Sequence, residues 1–422
     1  MKDHPLRVAI NDELHARPHL RLTAPAVLSH VVLMARETDA ERDRREFADL
    51  CREHGATPPP DGARHHVVAL LGRLVKWERH GEFRSITVLA DAAADLDPAE
   101  WSALIPPFTR WLDQIGGERL TAVHLKILPG VATAPPHDAF VGEVVGSTVG
   151  DGDGVVFADF RIREDGFTRI LLYAHRLTPG RLGRMAQRLL EIETYRMAAL
   201  LGLPPAREAT PKLSGFERRL DAIVSATSAS AEDEALLLDR LTALAAEAEA
   251  LAAANRFRFA ATEAYGALVA NRIQELHEGR VEGLQMLGTF LERRFQPGLR
   301  TCAAVARRER ILLDGLNRAA GMLRTRVEVR LAAQNRDLLR AMDRRARLQL
   351  RLSQAVEGLS IFAITYYAVS LLKLAVEGLP GMRLLPEHMD EVLVALAVPL
   401  IGGAVWLNVR RLRTKLRGAE PD

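Results

Sequence analysis

The chain has 422 residues, 48% of them hydrophobic, which is enough to form the cores of two or three domains and excludes general disorder. Its 57 Lys and Arg residues are nearly balanced by 54 Asp and Glu, and the formal charge of +3 argues against a nucleic-acid partner. The two cysteines, Cys51 and Cys302, lie far apart outside any Cys-X-X-Cys motif, which argues against a disulfide framework and a structural zinc site.

The first region, residues 1–205, is predicted to be an α+β domain. Its strand-like segments are short, rich in Val, Ile and Leu, and separated by turn residues; they cover residues 31–34, 67–75, 85–89, 120–128, 155–161 and 168–173. Helical segments cover residues 39–54, 99–115 and 179–203. Because short turns join neighbouring strands, we expect a largely antiparallel sheet.

Long helices are predicted for the second region, residues 206–353, where strand-like runs vanish and Ala, Leu, Arg and Glu dominate. Apolar residues recur there at alternating spacings of four and three in two stretches, Leu237, Leu241, Leu244, Ala248 and Leu251, and then Leu312, Leu316, Ala319 and Leu323. This pattern favours a helical bundle within one chain. Coiled-coil pairing with a second copy or another protein is the alternative.

The third region, residues 354–422, contains two apolar segments. Residues 358–376 carry a single charge, at Lys373 near the segment's end, and residues 392–409 carry none. Each approaches the roughly 20 residues that an α-helix needs to cross a bilayer. We therefore predict a two-helix transmembrane hairpin, with a pair of buried core helices as the alternative.

The charges around these segments predict their orientation. Basic groups flank the pair on both outer sides, Arg340, Arg344, Arg345, Arg347 and Arg351 before it and Arg410, Arg411, Arg413, Lys415 and Arg417 after it. The connecting loop carries Glu377, Glu387, Asp390 and Glu391 against Arg383 alone. Since positive charge stays on the cytoplasmic side, both termini and the α+β domain are expected in the cytoplasm, with the lipid bilayer of a bacterial inner membrane as partner.

Polar residues are densest at the N-terminus, where Glu13, His15 and Arg17 are the candidates for a catalytic or ligand-binding role. Glu13, His15 and His19 could offer oxygen and nitrogen atoms to a metal, but Pro18 makes a regular helix through both histidines unfavourable. The favoured interpretation is structural, with the arginine and the acids pinning the segment to the sheet. No metal site and no cofactor are predicted.

Three further patterns have ordinary structural interpretations. The glycine-rich residues 146–154 lack the GxxxxGK[ST] pattern and contain two Asp, so a hairpin turn is favoured over a phosphate-binding loop. The alternating run from Lys76 to His80 is typical of a strand with one exposed face. Glu191 and Tyr195 are four residues apart and share a helix face, for which a solvated or domain-packing role is favoured over partner binding.

Four stretches carry a resemblance to a known family: Asn11-Asp-Glu-Leu-His-Ala-Arg-Pro18, Lys76-Trp-Glu-Arg-His80, Leu190-Glu-Ile-Glu-Thr-Tyr-Arg196 and Val356-Glu-Gly-Leu-Ser360. They occur in the order found in a bacterial family of membrane-anchored proteins, domain-of-unknown-function family 3422, which this chain resembles along most of its length. The resemblance implies membrane anchoring and supplies neither an activity nor catalytic residues.

The leading functional hypothesis is a non-enzymatic scaffold or partner-binding module at the inner membrane. An oligomeric ion channel similar to CorA is the alternative, because the order of domains is the same. However, Gly381 and Met382 are followed by Arg383, so the Gly-Met-Asn filter is absent. A membrane-tethered hydrolase that uses the N-terminal residues is the third hypothesis.

Overall fold

The structure, a computed structural model, describes residues 3–8, 11, 19–91, 101–136, 138–229, 233–378 and 389–417. The chain forms two compact units, Met1–Gly321 and Met322–Asp422. The predicted domain boundaries at residues 205 and 353 stay predictions, because a compact unit is defined by its internal contacts and a domain by its ability to fold alone.

One nine-stranded sheet organises the first unit. Its strands are β1 (Ala26–Met34), β2 (His65–Leu70), β3 (Arg73–Arg79), β4 (Phe83–Asp91), β5 (Arg119–Pro129), β6 (Val145–Val149), β7 (Gly154–Ala158), β8 (Thr168–Ala174) and β9 (Gly279–Arg280). They lie in the order β2-β3-β4-β1-β5-β8-β7-β6-β9. Only β5 and β8 pair in parallel among these strands, so the predicted mainly antiparallel sheet of an α+β fold is confirmed.

Eight helices have described bounds. They are α1 (Ala40–Glu53), α2 (Pro106–Gln114), α3 (Pro179–Leu200), α4 (Leu203–Ala229), α5 (Glu234–Glu275), α6 (Leu287–Arg294), α7 (Gln296–Gly378) and α8 (Met389–Arg417). The helix predicted at residues 99–115 begins only at Pro106, with prolines at its first two positions. Residues 101–105 have no regular structure, and residues 99 and 100 lie outside the described part of the chain.

The strand predicted at residues 67–75 is wrong in one respect, because a turn divides it. Leu71 and Gly72 both have positive φ angles, 52° and 70°, which is the backbone of a tight hairpin turn between β2 and β3. A leucine is a poor signal for such a turn, since most side chains avoid this conformation. The glycine-rich residues 146–154 do form the predicted hairpin, with the turn between β6 and β7.

Helices cover both faces of the sheet. On one face, Val31, Val75 and Trp77 pack with Phe47 of α1 and Phe108 of α2. On the other face lies a second core, formed with α3, α5 and α6 by Leu28, Leu89, Val123, Leu125, Leu182, Leu189, Val269 and Leu287. The central strands of this sheet are therefore buried on both sides, and the alternation of their side chains sorts residues between two interiors.

The helical region of the first unit packs within the chain. Arg219 of α4 donates two hydrogen bonds to Glu247 of α5, at 2.7 and 2.8 Å, and Asn255 of α5 donates to Glu309 of α7 at 2.7 Å. The apolar residues Leu237, Leu241, Leu244, Leu312 and Leu316 are buried there. This packing supports the bundle interpretation of the repeated spacing. The region is not purely helical as expected, because β9 joins the edge of the sheet beside β6.

The second unit consists of residues 322–378 of α7 and the helix α8. Two helices of the described chain are long and apolar enough to cross a membrane. In each of them, no residue of the most apolar 18-residue stretch is buried. The two helices come together at Gly402, where an added Cβ atom would lie 3.6 Å from Thr365 Cγ2. This agrees with the small-residue surface that the sequence places on α8.

Candidate functional site

A cavity of about 240 Å³ lies between the sheet and α3 in the first unit. Strands β1, β3 and β4 form one wall, and α3 with Arg272 of α5 forms the other. Its lining combines apolar and polar side chains: Leu20, Leu22, Leu28, His30, Lys76, Glu78, His80, Phe83, Ser85, Thr87, Ala186, Gln187, Leu190, Glu191, Thr194 and Tyr195. A concave site with a few converging polar groups is the form that small-molecule sites usually take.

Strand pairing places the polar residues of the sheet side by side. Lys76 lies opposite Thr87 and Glu78 opposite Ser85 across the β3–β4 pair. His30 on β1 lies opposite Thr87 on its other side. Because residues two apart on a strand share a face and opposite residues of paired strands do too, all five side chains point to the same side of the sheet.

The ion pair of Lys76 and Glu78 is the main charged feature of the sheet wall. Their side chains are 5% and 11% exposed, and the Lys76 Nζ atom lies 3.0 Å from Glu78 Oε1. An ammonium group has three donors and a carboxylate has about four acceptor positions, so this contact uses only part of the capacity of each. The donors and acceptors of this buried pair that have no partner among the described residues favour a polar ligand or bound water in the cavity.

His30 is held on both ring nitrogens by hydroxyl groups. Its Nδ1 atom lies 2.8 Å from Thr87 Oγ1, and its Nε2 atom lies 3.2 Å from Thr194 Oγ1 on α3. Burial, together with the nearby charge of Lys76, lowers the pKa of His30 to about 3. The imidazole is therefore neutral near pH 7 and joins the sheet to α3.

Ser85 has an unused hydroxyl group in this cavity. The residue is only 2% exposed, and its Oγ atom makes no hydrogen bond to any residue that the structure describes. A buried hydroxyl without a partner costs free energy unless water or a ligand meets it. Its position opposite Glu78 brings it next to the ion pair.

The α3 wall contains a second pair of opposite charges. Glu191 accepts hydrogen bonds from Gln187 Nε2 at 2.7 Å and from Arg272 Nε of α5. Next to it, the ring of Tyr195 stacks on the ring of Tyr265, with centroids 5.7 Å apart. The favoured interpretation of Glu191 and Tyr195 as a solvated or packing face is thus only partly adequate, because both line the cavity as well.

The interpretation of residues 76–80 as a strand with an exposed face is wrong. Lys76, Trp77, Glu78 and Arg79 are all buried. Trp77 and Arg79 point to the opposite side of the sheet, where the Arg79 Nε atom lies 3.3 Å from Asp43 of α1. The amphipathic pattern does not indicate solvent here, because helices cover both faces and the polar face forms the cavity.

The N-terminal candidates Glu13, His15 and Arg17 lie outside the described residues, and their role stays a prediction. The described residues that follow them reach the cavity, since Leu20 and Leu22 line its edge. His19 lies beside α3, with its Nε2 atom 3.4 Å from Arg184 Nη1. Burial and the charge of Arg184 lower the pKa of His19. Within the described residues, no group of three or more His, Cys, Asp or Glu side chains could hold a metal ion.

Sequence reasoning did not identify the cavity. Lys76 and Glu78 belong to the run interpreted as a half-exposed strand, and His30, Ser85 and Thr87 are not among the predicted site residues. A signal was present in the pattern: a strand with a lysine and a glutamate two residues apart, next to a strand with serine and threonine at the same spacing, predicts a polar stripe across a sheet.

Comparison with known proteins gives one match. The family model described as protein of unknown function (DUF3422) matches residues 2–416. No curated protein and no solved structure matches the chain significantly. Two of the stretches that carry the resemblance, residues 76–80 and 190–196, border the same cavity from the sheet and from α3.

Proposed function

Because the chain belongs to the DUF3422 family of proteins of unknown function, we propose its role from its structure: a membrane-anchored binding module. The first unit takes a small polar ligand in the cavity between the sheet and α3. The helical region serves as a scaffold surface for a protein partner, and residues of α7 and α8 form a hairpin in a bacterial inner membrane.

The cavity is the observation that carries the proposal. It places the Lys76–Glu78 pair on one wall, together with a Ser85 hydroxyl that has no partner among the described residues, and Glu191 on the facing wall. Each of these groups loses hydration on burial, and a protein retains such groups in its interior only when other interactions offset that loss. A bound polar ligand supplies those interactions.

Binding is favoured over catalysis by the state of the most buried base. A general base needs a free nitrogen and a pKa near the working pH. His30 has a hydroxyl oxygen at each ring nitrogen and a pKa of about 3. It therefore acts as a structural bridge and not as a general base.

Exposed apolar side chains support the membrane anchor. Phe362 of α7 and Leu400 of α8 are both 73% exposed, and other apolar side chains of the two segments, such as Leu359 and Leu396, are exposed too. Burying one such side chain is worth about 1.5–3 kcal/mol, which a bilayer provides and water does not. The basic residues that flank the pair support a cytoplasmic position for both termini.

The proposal is tested with the full-length protein in mild detergent. We expect a fractionated extract of small bacterial metabolites to raise the thermal unfolding midpoint, because a ligand that binds only the folded state stabilises it. In the variant Ala186→Phe, the new ring fills the cavity from α3, and the same extract should produce no shift. Gly215→Ala on α4 is the matched control, since an added Cβ atom there meets nothing within 4 Å.

The possible results distinguish binding in this cavity from binding elsewhere or no binding. A shift in the unchanged protein and in Gly215→Ala, absent in Ala186→Phe, assigns binding to this cavity. If no fraction shifts the unchanged protein, or if Ala186→Phe responds equally, the binding function at this site is wrong.

A further inference from the structure

We propose that the ligand of the cavity is a free α-amino acid with an apolar side chain. This inference rests on the proposed binding function and specifies its ligand class. The ligand's carboxylate pairs with the Lys76 ammonium group, its ammonium group pairs with the Glu78 carboxylate, and its side chain lies among the leucines of the cavity.

Charge balance favours a ligand with no net charge. Among the described residues, the charged members of the lining are Lys76, Glu78, Glu191 and Arg272, two of each sign. Glu191 and Arg272 are paired with each other, and His30 is neutral near pH 7. A monoanion at Lys76 would also approach Glu78, 3.0 Å away, and a monocation at Glu78 would approach Lys76. A ligand with both charges meets neither repulsion.

The geometry of the pair suits two charges on one carbon atom. Lys76 and Glu78 stand on the same face of β3, with their charged ends in contact. An α-amino acid carries its ammonium and carboxylate groups on the same Cα atom, so it can lie against this pair with its charges in the opposite order. The four charges then form a compact neutral group, which lowers the cost of burying any of them.

The hydrogen-bonding capacity of the cavity wall also favours an amino acid as the ligand. The Ser85 hydroxyl, opposite Glu78, has no partner among the described residues and faces the cavity. A hydroxyl both donates and accepts, so it can meet either end of the amino acid. The apolar part of the lining includes Leu20, Leu22 and Leu28. These residues favour an aliphatic side chain in the remaining volume.

The experiment is isothermal titration of the full-length protein in mild detergent with each of the twenty common L-amino acids. We expect aliphatic members such as L-leucine to bind. Two matched analogues isolate the charges: 4-methylpentanoate lacks the ammonium group of leucine, and 3-methylbutylamine lacks the carboxylate. Each analogue should bind roughly tenfold or more weakly, because its single charge is repelled by the like-charged member of the Lys76–Glu78 pair and lacks the second attraction.

Variants test the assigned contacts. Glu78→Gln should weaken leucine binding roughly tenfold or more. It should also reduce the difference in affinity between leucine and 4-methylpentanoate. The double variant Lys76→Met with Glu78→Met leaves no unpaired buried charge, so it should fold and fail to bind leucine. Glu247→Gln removes an exposed ion pair with Arg219, far from the lining, and should bind as before.

Three results would overturn the inference. They are equal binding of leucine and 4-methylpentanoate, unchanged binding in the folded double variant, and no binding of any amino acid. If amino acids fail while a metabolite fraction still stabilises the protein but not Ala186→Phe, the ligand class is wrong and the binding function stands. If no amino acid binds and no metabolite fraction stabilises the protein, both the ligand class and the binding function are wrong.

Discussion

The charged side chains of β3 and β4 divide between two environments according to their position along the strand. Lys76 and Glu78 face the cavity, whereas Arg79 and Arg84 face α1 and form ion pairs with the buried carboxylate of Asp43. Arg84 also donates to the carbonyl oxygens of Ile115 and Gly116, at 2.6 and 2.7 Å, after the end of α2. The same two strands thus supply a binding wall on one side and a structural cluster on the other.

Asp43→Ala should strongly destabilise the protein, because it removes the buried carboxylate that forms ion pairs with both Arg79 and Arg84. The loss expected for breaking such a buried network is about 3–5 kcal/mol in the free energy of unfolding. Asp49→Ala on the same helix is the control, since its pair with Arg52 is exposed and worth at most about 1 kcal/mol. Denaturant unfolding measures both, and equal losses would show that the Asp43 cluster is not structural.

Acid should destabilise the fold through its buried histidines. Burial lowers the pKa of His30 to about 3 and that of His124, which contacts Ser29 Oγ at 2.8 Å, to about 4. Above the ordinary histidine pKa of about 6.5, both states are neutral. Below it the unfolded chain takes up protons that the folded chain does not, so the free energy of unfolding falls as pH falls from about 6.5 towards 4.

The measurable consequence is the slope of the free energy of unfolding against pH. Each buried histidine contributes at most about 1.4 kcal/mol per pH unit in that range. His30→Gln should flatten the fall in the free energy of unfolding, whereas the same substitution at the exposed His175 should preserve it. A fall that is equally steep in His30→Gln would contradict the assignment of a buried neutral His30.

At the scale of elements, close packing between α3 and the segment that leads into β1 defines one edge of the cavity. The amide of Leu22 donates to the carbonyl oxygen of Pro179 at 3.1 Å, at the start of α3. One turn further, Gly183 lies so close that an added Cβ atom would overlap the carbonyl oxygen of Leu20. Only glycine allows this approach without moving the backbone.

Gly183→Ala should therefore displace the segment around Leu20 and open the cavity. We expect a loss of about 1–3 kcal/mol in the free energy of unfolding, as for other overpacked sites. Gly215→Ala, in the open interior of α4, should instead be neutral or stabilise by up to about 1 kcal/mol. Unfolding midpoints of the two variants give the comparison, and a stabilised Gly183→Ala would show that the segment does not pack on α3 in this way.

At the scale of the whole molecule, the asymmetry of charge about the apolar segments is the feature with the broadest consequence. The loop between the segments contains four acids and one arginine, and basic clusters lie on the outer sides of both segments. Transfer of so many positive charges across a bilayer is disfavoured. Both basic clusters should therefore remain in the cytoplasm.

Reporter fusions test this orientation. A phosphatase that is active only outside the cytoplasm should be active when inserted in the loop at residues 379–388 and inactive when joined to Asp422. A fluorescent protein that matures only in the cytoplasm should show the reverse. If the loop fusion is inactive and carbonate washing releases the protein from membranes, α7 and α8 do not span the bilayer. The mass in mild detergent separates the channel alternative, for which a pentamer is expected, from an anchor.

Local pattern and composition are enough to predict the mainly antiparallel α+β sheet, the helix expected at residues 39–54, the glycine-rich hairpin and the long helices with two apolar segments. The sequence also carried the resemblance to the family. These features follow from residues near one another in the chain, where periodicity, turn residues and charge are directly visible.

Only the tertiary structure decided where the site lies and which surfaces are buried. The cavity joins His30, Lys76, Glu78, Ser85 and Glu191, which are brought together by strand order, by register and by the packing of α3. Strand order and register depend on contacts across the whole first unit. The sequence pattern of a polar face on β3 is the same whether that face is exposed to water or covered by a helix, so the pattern alone cannot distinguish the two. That is why Lys76 and Glu78 are read as surface residues in the sequence and lie in the interior of the fold.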